Sequence, residues 1–325
     1  MKFKIDRFIL AIIAVIIFAY NVPQYGIEDS GFPISTISSI GFFLIFFFYG
    51  LKLSPQQIKS GLYNWKLHVL VQLSTFLFFP LLILMCYPFV QTQEQHSFWL
   101  ALLFMAALPS TVSSSVVMVS VARGNVPAAI FNASISGIIG IVITPLWVGL
   151  FLEKSGTEFD YTSIYINLII GIILPVILGL SLQRYGHALA LKYSKQLTLF
   201  DKSVILLVIY KSFAESFYND IFSSVKLLDF FILFLIVIAI FFTVFYCVGF
   251  IATKLKFSTE DKITAQFCGT KKSLVHGTIF YKILFNNSAA SSLILLPLMI
   301  FHASQIFIIS IIASKFAKRE SENLK

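Results

Sequence analysis

Long apolar runs separated by short polar or basic connections set the pattern of this chain. A bilayer crossing takes about 20 mostly apolar residues. Ten stretches approach that, at 8–25, 31–51, 67–90, 97–122, 126–152, 162–185, 200–219, 227–253, 261–285 and 288–314. Those at 200–219 and 261–285 are the least hydrophobic. The runs are long rather than short and alternating, which excludes a transmembrane barrel. The pattern predicts an all-α polytopic membrane protein with ten transmembrane helices. The first run follows Met1-Lys-Phe-Lys-Ile-Asp-Arg7 and resembles a signal peptide. It lacks a small-residue cleavage site and is read as a retained first span.

Basic residues cluster at alternate connections: Lys2, Lys4 and Arg7, then Lys52, Lys59 and Lys66, then Arg123, and so on to Lys315, Lys318, Arg319 and Lys325. The opposite connections hold only Lys154 and Lys226. The positive-inside rule then puts both termini in the cytoplasm, and a bacterial inner membrane is the expected location. The longest connection, 185–199, divides the spans five and five. An odd number per half means opposite orientation, the arithmetic of an inverted repeat. Each half has an interrupted fourth span and a proline-bearing fifth (Thr144-Pro145, Leu296-Pro297).

Composition agrees with the pattern. The chain is 58% hydrophobic and 12% charged, against about 25% charged in soluble domains. The net charge of +9 is mainly topology. It implies contact with anionic lipid headgroups and gives no support for nucleic-acid binding. Cys86, Cys247 and Cys268 have neither disulfide nor metal spacing. No nucleophile elbow, H-E-x-x-H, pair of intramembrane carboxylates or P-loop occurs. Neither an enzyme nor a cofactor is expected, beyond a proton or sodium as coupling ion.

The fourth run is interrupted by Leu108-Pro-Ser-Thr-Val-Ser-Ser-Ser115. Proline removes a backbone donor, and irregular backbone at membrane depth survives only where protein or water satisfies it. One reading is a plain kink with serines bonding back to the helix. The other is a broken helix lining a binding site, with Ser113, Ser114 and Ser115 as ligands. The ninth run carries Gln266-Phe-Cys-Gly-Thr-Lys271-Lys272-Ser273. An intramembrane lysine costs about 2.5–3.5 kcal/mol on insertion scales. Snorkelling to an interface is one account of the pair. A break at Gly269-Thr270 that turns both lysines into a cavity is the other. Further candidates are Gln72, the i, i+4 pair Asn132 and Ser136, and His302 as proton relay. Glu215 stands four residues from Lys211, so it either neutralises that lysine or serves as counter-ion to a lysine of the ninth span. Trp65 and Trp147 are expected in the interfacial belt.

Leu108–Ser115, with Ala122-Arg-Gly-Asn125 and Ile143-Thr-Pro145, resembles the bile acid:sodium symporter superfamily. Ala128–Asn132, Phe267–Leu274 and Pro297–His302 resemble its SBF-like, cotransporter-7-type branch more closely. The resemblance implies two inverted repeats of five, with helices 4 and 9 broken and crossing. It implies panel helices 1–2 in 1–66, core helices 3–5 in 67–152, panel helices 6–7 in 153–225, and core helices 8–10 plus a cytoplasmic tail in 226–325. Solutes of the wider family are organic anions.

Sodium-coupled relatives carry Ser-Asn in the fourth span, where this chain has Ser114-Ser115. They carry Glu in the ninth span with Gln four residues on. Aligned on Gly269 and Ser273, this chain has Phe267 and Lys271 there. The usual two-sodium arrangement is therefore expected to be absent, because a fixed ammonium repels sodium in a dry site. The expected function is secondary transport of an organic anion or other small solute by alternating access, coupled to protons or uncoupled. A buried lysine is a reasonable proton carrier. Two alternatives stay open. One is a sodium-coupled symporter using Ser114, Ser115, Asn132 and Gln266, with Glu215 compensating charge. The other is a regulator of ion or envelope homeostasis that moves no solute.

Overall fold

The computed structural model describes residues 7–27, 31–52, 64–111, 113–152, 161–218, 227–285 and 291–317. All regular structure among them is helical. Among the described residues, six helices are long and apolar enough to cross a membrane: Ile34–Lys52, Trp65–Phe89, Val126–Leu152, Thr162–Ser181, Leu228–Lys254 and Leu293–Ala317. The other predicted runs take different forms. The run at 8–25 holds a helix of 15 residues, Arg7–Asn21. That at 200–219 lies in Ser194–Tyr218, which carries Lys211 and Glu215. The runs at 97–122 and 261–285 are each split into two short helices, Gln93–Ala107 with Ser113–Val121 and Thr259–Gly269 with Leu274–Leu284. The basic residues at 2, 4, 59, 154, 226, 318, 319 and 325 lie outside the described residues.

The chain divides into two compact units. The first comprises Met1–Leu53, Phe159–Leu227 and Thr278–Ser292, and the second Ser54–Glu158, Leu228–Gly277 and Leu293–Lys325. In the first, the helix Ile34–Lys52 crosses Leu174–Ser181 at two glycines. A Cβ on Gly50 would come within 3.1 Å of Gly179 Cα, so only glycine permits this approach. Tyr210 Oη closes the unit by donating to Val22 O at 2.6 Å.

The second unit has the two helix breaks, at Leu108–Thr111 and Thr270–Ser273, in its interior. Every residue from Trp99 to Thr111 and from Ile263 to Leu274 is buried. A segment buried all round has protein on every side. The outer helices instead expose one stripe each, Val69, Leu73, Leu77 and Leu81 on one and Ile138, Val142, Leu146 and Leu150 on another. Apolar stripes at i, i+4 spacing on the outer surface suit lipid, not water. The first member of each split pair has a sequence-encoded start. Thr92 and Gln95 form a capping box, and Ser258 accepts from Asp261 N ahead of Glu260 and Asp261. Both arrangements satisfy amides that have no partner in the helix.

Candidate functional site

Every break in a helix strands backbone groups, and buried backbone groups are nearly always paired. The site is most easily built by following where they go. Pro109 and Pro80 are the covalent causes. Pro109 stops Gln93–Ala107, and Ser110 N donates not into that helix but to Ser136 Oγ at 2.9 Å. The carbonyls of Ala106, Ala107 and Leu108 are left over. Thr144 Oγ1 takes Ala107 O at 2.8 Å. Lys272 Nζ takes Ala106 O at 2.6 Å and Leu108 O at 2.9 Å.

Pro80 does the same to the helix that starts at Trp65. A π-turn runs over Ser74–Phe78, and Phe79 N donates to Ser74 O. Thr75 O thereby loses the amide of residue 79, and residue 80 has none to give. Lys272 Nζ takes Thr75 O at 2.7 Å. The carbonyl four residues before Pro80, Phe76 O, accepts from Trp147 Nε1 at 2.8 Å. Trp147, expected at the interface, thus satisfies a carbonyl freed by proline.

The break at Thr270–Ser273 is stitched to the break at Pro109. Ser273 N donates to Pro109 O at 2.9 Å, and Ser110 Oγ donates to Cys268 O at 2.7 Å. Ser74 Oγ takes Gly269 O at 2.9 Å, and Thr270 Oγ1 takes Gln266 O at 2.6 Å. Gln305 holds the backbone of residue 272 from both sides, accepting from Lys272 N at 2.9 Å and donating to Lys272 O at 2.8 Å. Ser273 caps the following helix, accepting from His276 N at 3.3 Å. Gly140 is the seat for the Pro109 ring, because a Cβ there would fall 2.9–3.1 Å from three ring carbons.

The two lysines point apart. Lys272 lies at the carbonyl end of Gln93–Ala107, with its ammonium 4.2 Å from the centroid of Phe79. A cation at a helix C-terminus and over an aromatic face is favoured on both counts. Lys271 lies across the proline, at the start of Ser113–Val121, donating to Ser114 O at 2.7 Å and Ser114 Oγ at 3.3 Å. That is the positive end of a helix, where an ammonium gains nothing from the dipole. Both lysines are 0% exposed. Among the described residues, neither is within salt-bridge distance of a carboxylate.

The sequence-predicted residues divide accordingly. Ser114 and Ser115 join the Pro109 junction, both bonded to Thr111 Oγ1 at 2.9 and 2.8 Å. Ser113 begins its helix, but its side chain lies outside the described residues. Ser136 is built in through Ser110 N. Gln72 Nε2 donates to Asn132 Oδ1 at 3.2 Å, while its own Oε1 is buried with no partner. Gln266 turns away and donates to Phe245 O at 3.1 Å. Phe267 packs between the rings of Phe245 and Phe316. His302 reaches the site through Gln305, accepting from its Nε2 at 3.1 Å with Nδ1 as the acceptor. Glu215 belongs to the other unit and stands 3.4 Å from Lys211 Nζ.

The sequence reading missed Thr75 and Pro80 as members of the site. Pro80 carried a usable signal, since it interrupts an apolar run just as Pro109 does. Thr75 contributes only its carbonyl, which no side-chain pattern announces.

The chain matches the SBF-like CPA transporter family over residues 6–318. It is 36% identical over 321 residues to uncharacterized protein PA2026 of Pseudomonas aeruginosa, covering 99% of this chain and 96% of that one. The symporter-named YfeH of Escherichia coli K12 is 34% identical, with 99% and 95% covered. Sodium/bile acid cotransporter 7 of Danio rerio is 32% identical, with 94% and 92% covered. The chain belongs to the SBF-like CPA transporter family. It is an integral membrane transporter and not an enzyme.

Proposed function

We propose that the protein is a secondary active transporter of an organic anion or other small solute that works by alternating access. In this reading the chain spans a bacterial inner membrane ten times as two inverted repeats of five, with both termini cytoplasmic and the two split helices as the crossing pair. Coupling is to protons or absent, and the usual two-sodium arrangement is not used. The observation that carries the reading is the pair of buried lysines either side of the Pro109 break, with no carboxylate within salt-bridge distance of them among the described residues. A sodium site needs anionic or neutral oxygens, whereas here fixed cations meet the freed oxygens. Lys271 and the first turn of Ser113–Val121 together favour a negative group, which supports an anionic solute. The cotransporter name of the Danio rerio relative supports an organic one.

The test is uptake of a panel of labelled organic anions into proteoliposomes, with sodium replaced by choline and with an imposed pH gradient. Uptake should be independent of sodium, and Lys271→Ala should reduce it at least tenfold. Uptake that requires sodium and survives Lys271→Ala unchanged sinks the reading.

One observation favours the sodium-coupled alternative, the unpartnered Oε1 of Gln72 beside Asn132. Sodium-specific uptake that is lost in Gln72→Leu would establish it.

A further inference from the structure

Three carbonyl oxygens converge on Lys272 Nζ, and their availability does not depend on the lysine. Thr75 O is free because Phe79 N is drawn to Ser74 O and residue 80 is a proline. Ala106 O is free because Ser110 N is held by Ser136 Oγ, and Leu108 O because Leu108 is the extended residue at which the helix ends. The carbonyls come from two different helix interruptions, and their seats are fixed by other groups, including Thr144, Trp147 and Gly140. Converging backbone carbonyls are the oxygen set that binds alkali cations in channels. The Phe79 face closes a fourth side at 4.2 Å and attracts cations as well.

We infer that Thr75 O, Ala106 O, Leu108 O and the Phe79 ring form a monovalent-cation site that the chain fills with its own tethered ammonium. Shortening residue 272 therefore opens it to ammonium, potassium or sodium ions. The inference deepens the reading above, since it concerns the same junction. It separates the two lysines: Lys272 is a built-in occupant with all three N–H donors used, and Lys271 is the one left to meet a solute. The oxygens stand 2.6–2.9 Å from Nζ, a spacing set for an ammonium. Ammonium and potassium should accordingly bind the opened site better than sodium.

The test is the thermal stability of full-length wild type, Lys272→Ala and Lys272→Met in detergent, with ammonium, potassium, sodium or choline chloride at equal ionic strength. Choline is too large for the cage and controls for screening. Lys272→Ala should show a saturable rise in melting midpoint on the order of a few degrees with ammonium and potassium, and none with choline. Wild type should show no such ammonium or potassium effect, and neither should Lys272→Met, whose unbranched side chain fills the space of the lysine stem. The same comparison in native membranes, by thermal aggregation of the tagged chain, covers the event that Lys272→Ala is lost on purification. Identical behaviour of Lys272→Ala in all four salts overturns the inference, and so does its failure to accumulate in every salt. Solute uptake by the wild type does not enter this test, so its failure leaves the proposed function standing, and the reverse also holds.

Discussion

The two units hold an intramembrane cation differently at Lys211 in the first and at Lys272 in the second. In the first, Lys211 meets a carboxylate and a hydroxyl, Glu215 at 3.4 Å and Ser35 Oγ at 2.8 Å. Lys282 meets Ser35 O and Ser39 Oγ at 2.8 and 2.7 Å. The side chains of Lys211 and Glu215 keep 15% and 27% of their surface exposed. In the second unit the two lysines are wholly buried, and backbone carbonyls stranded by proline do most of the holding. A side-chain pair can be removed one partner at a time and leaves mobile groups behind. A carbonyl cage cannot be removed by mutation, and deleting its cation leaves several buried acceptors unpaired. The second arrangement is therefore the less tolerant of substitution.

The comparison is put under most strain by Lys272→Met. It leaves Thr75 O, Ala106 O and Leu108 O without their donor and should cost about 3 kcal/mol or more in unfolding free energy, measured by denaturation in detergent. Gln305→Leu comes next. It removes both hydrogen bonds to the backbone of residue 272 and should cost about 2 kcal/mol, while leaving the ammonium in place. Lys211→Met and Glu215→Gln should each cost no more than about 1 kcal/mol. If either matches Lys272→Met, the distinction between the units fails.

Much of this was legible in the sequence. Pro109 followed by five hydroxyl residues within six positions marks a broken helix because proline cannot donate and hydroxyls can replace the missing partners. Gly269-Thr-Lys-Lys-Ser273 marks the second break. Asn132 and Ser136 at i, i+4 spacing were placed on one face, and the structure uses both. The directions of the lysines were not legible. Which way each points depends on where free carbonyls lie, and a carbonyl carries no sequence signature of its own. Thr75 O becomes available only because a π-turn and Pro80 act together. The same holds for Gln266, whose polar end was weighed for the site but is drawn to Phe245 O on a neighbouring helix. The runs at 97–122 and 261–285 resolve into pairs of short helices for a related reason, since the length of a run does not reveal that its hydrogen bonding is cut in the middle.

A further consequence concerns how such a protein can move. Proline breaks are often treated as joints. Here the Pro109 ring is wedged against Gly140, its carbonyl is bonded to Ser273 N, and the oxygens around it are bound by Thr144 and Lys272. Bending at that point would break several buried bonds at once. The junction is mechanically a rivet and not a hinge. Its amides should exchange hydrogen among the slowest in the chain, and any rearrangement that carries solute must move it as a block.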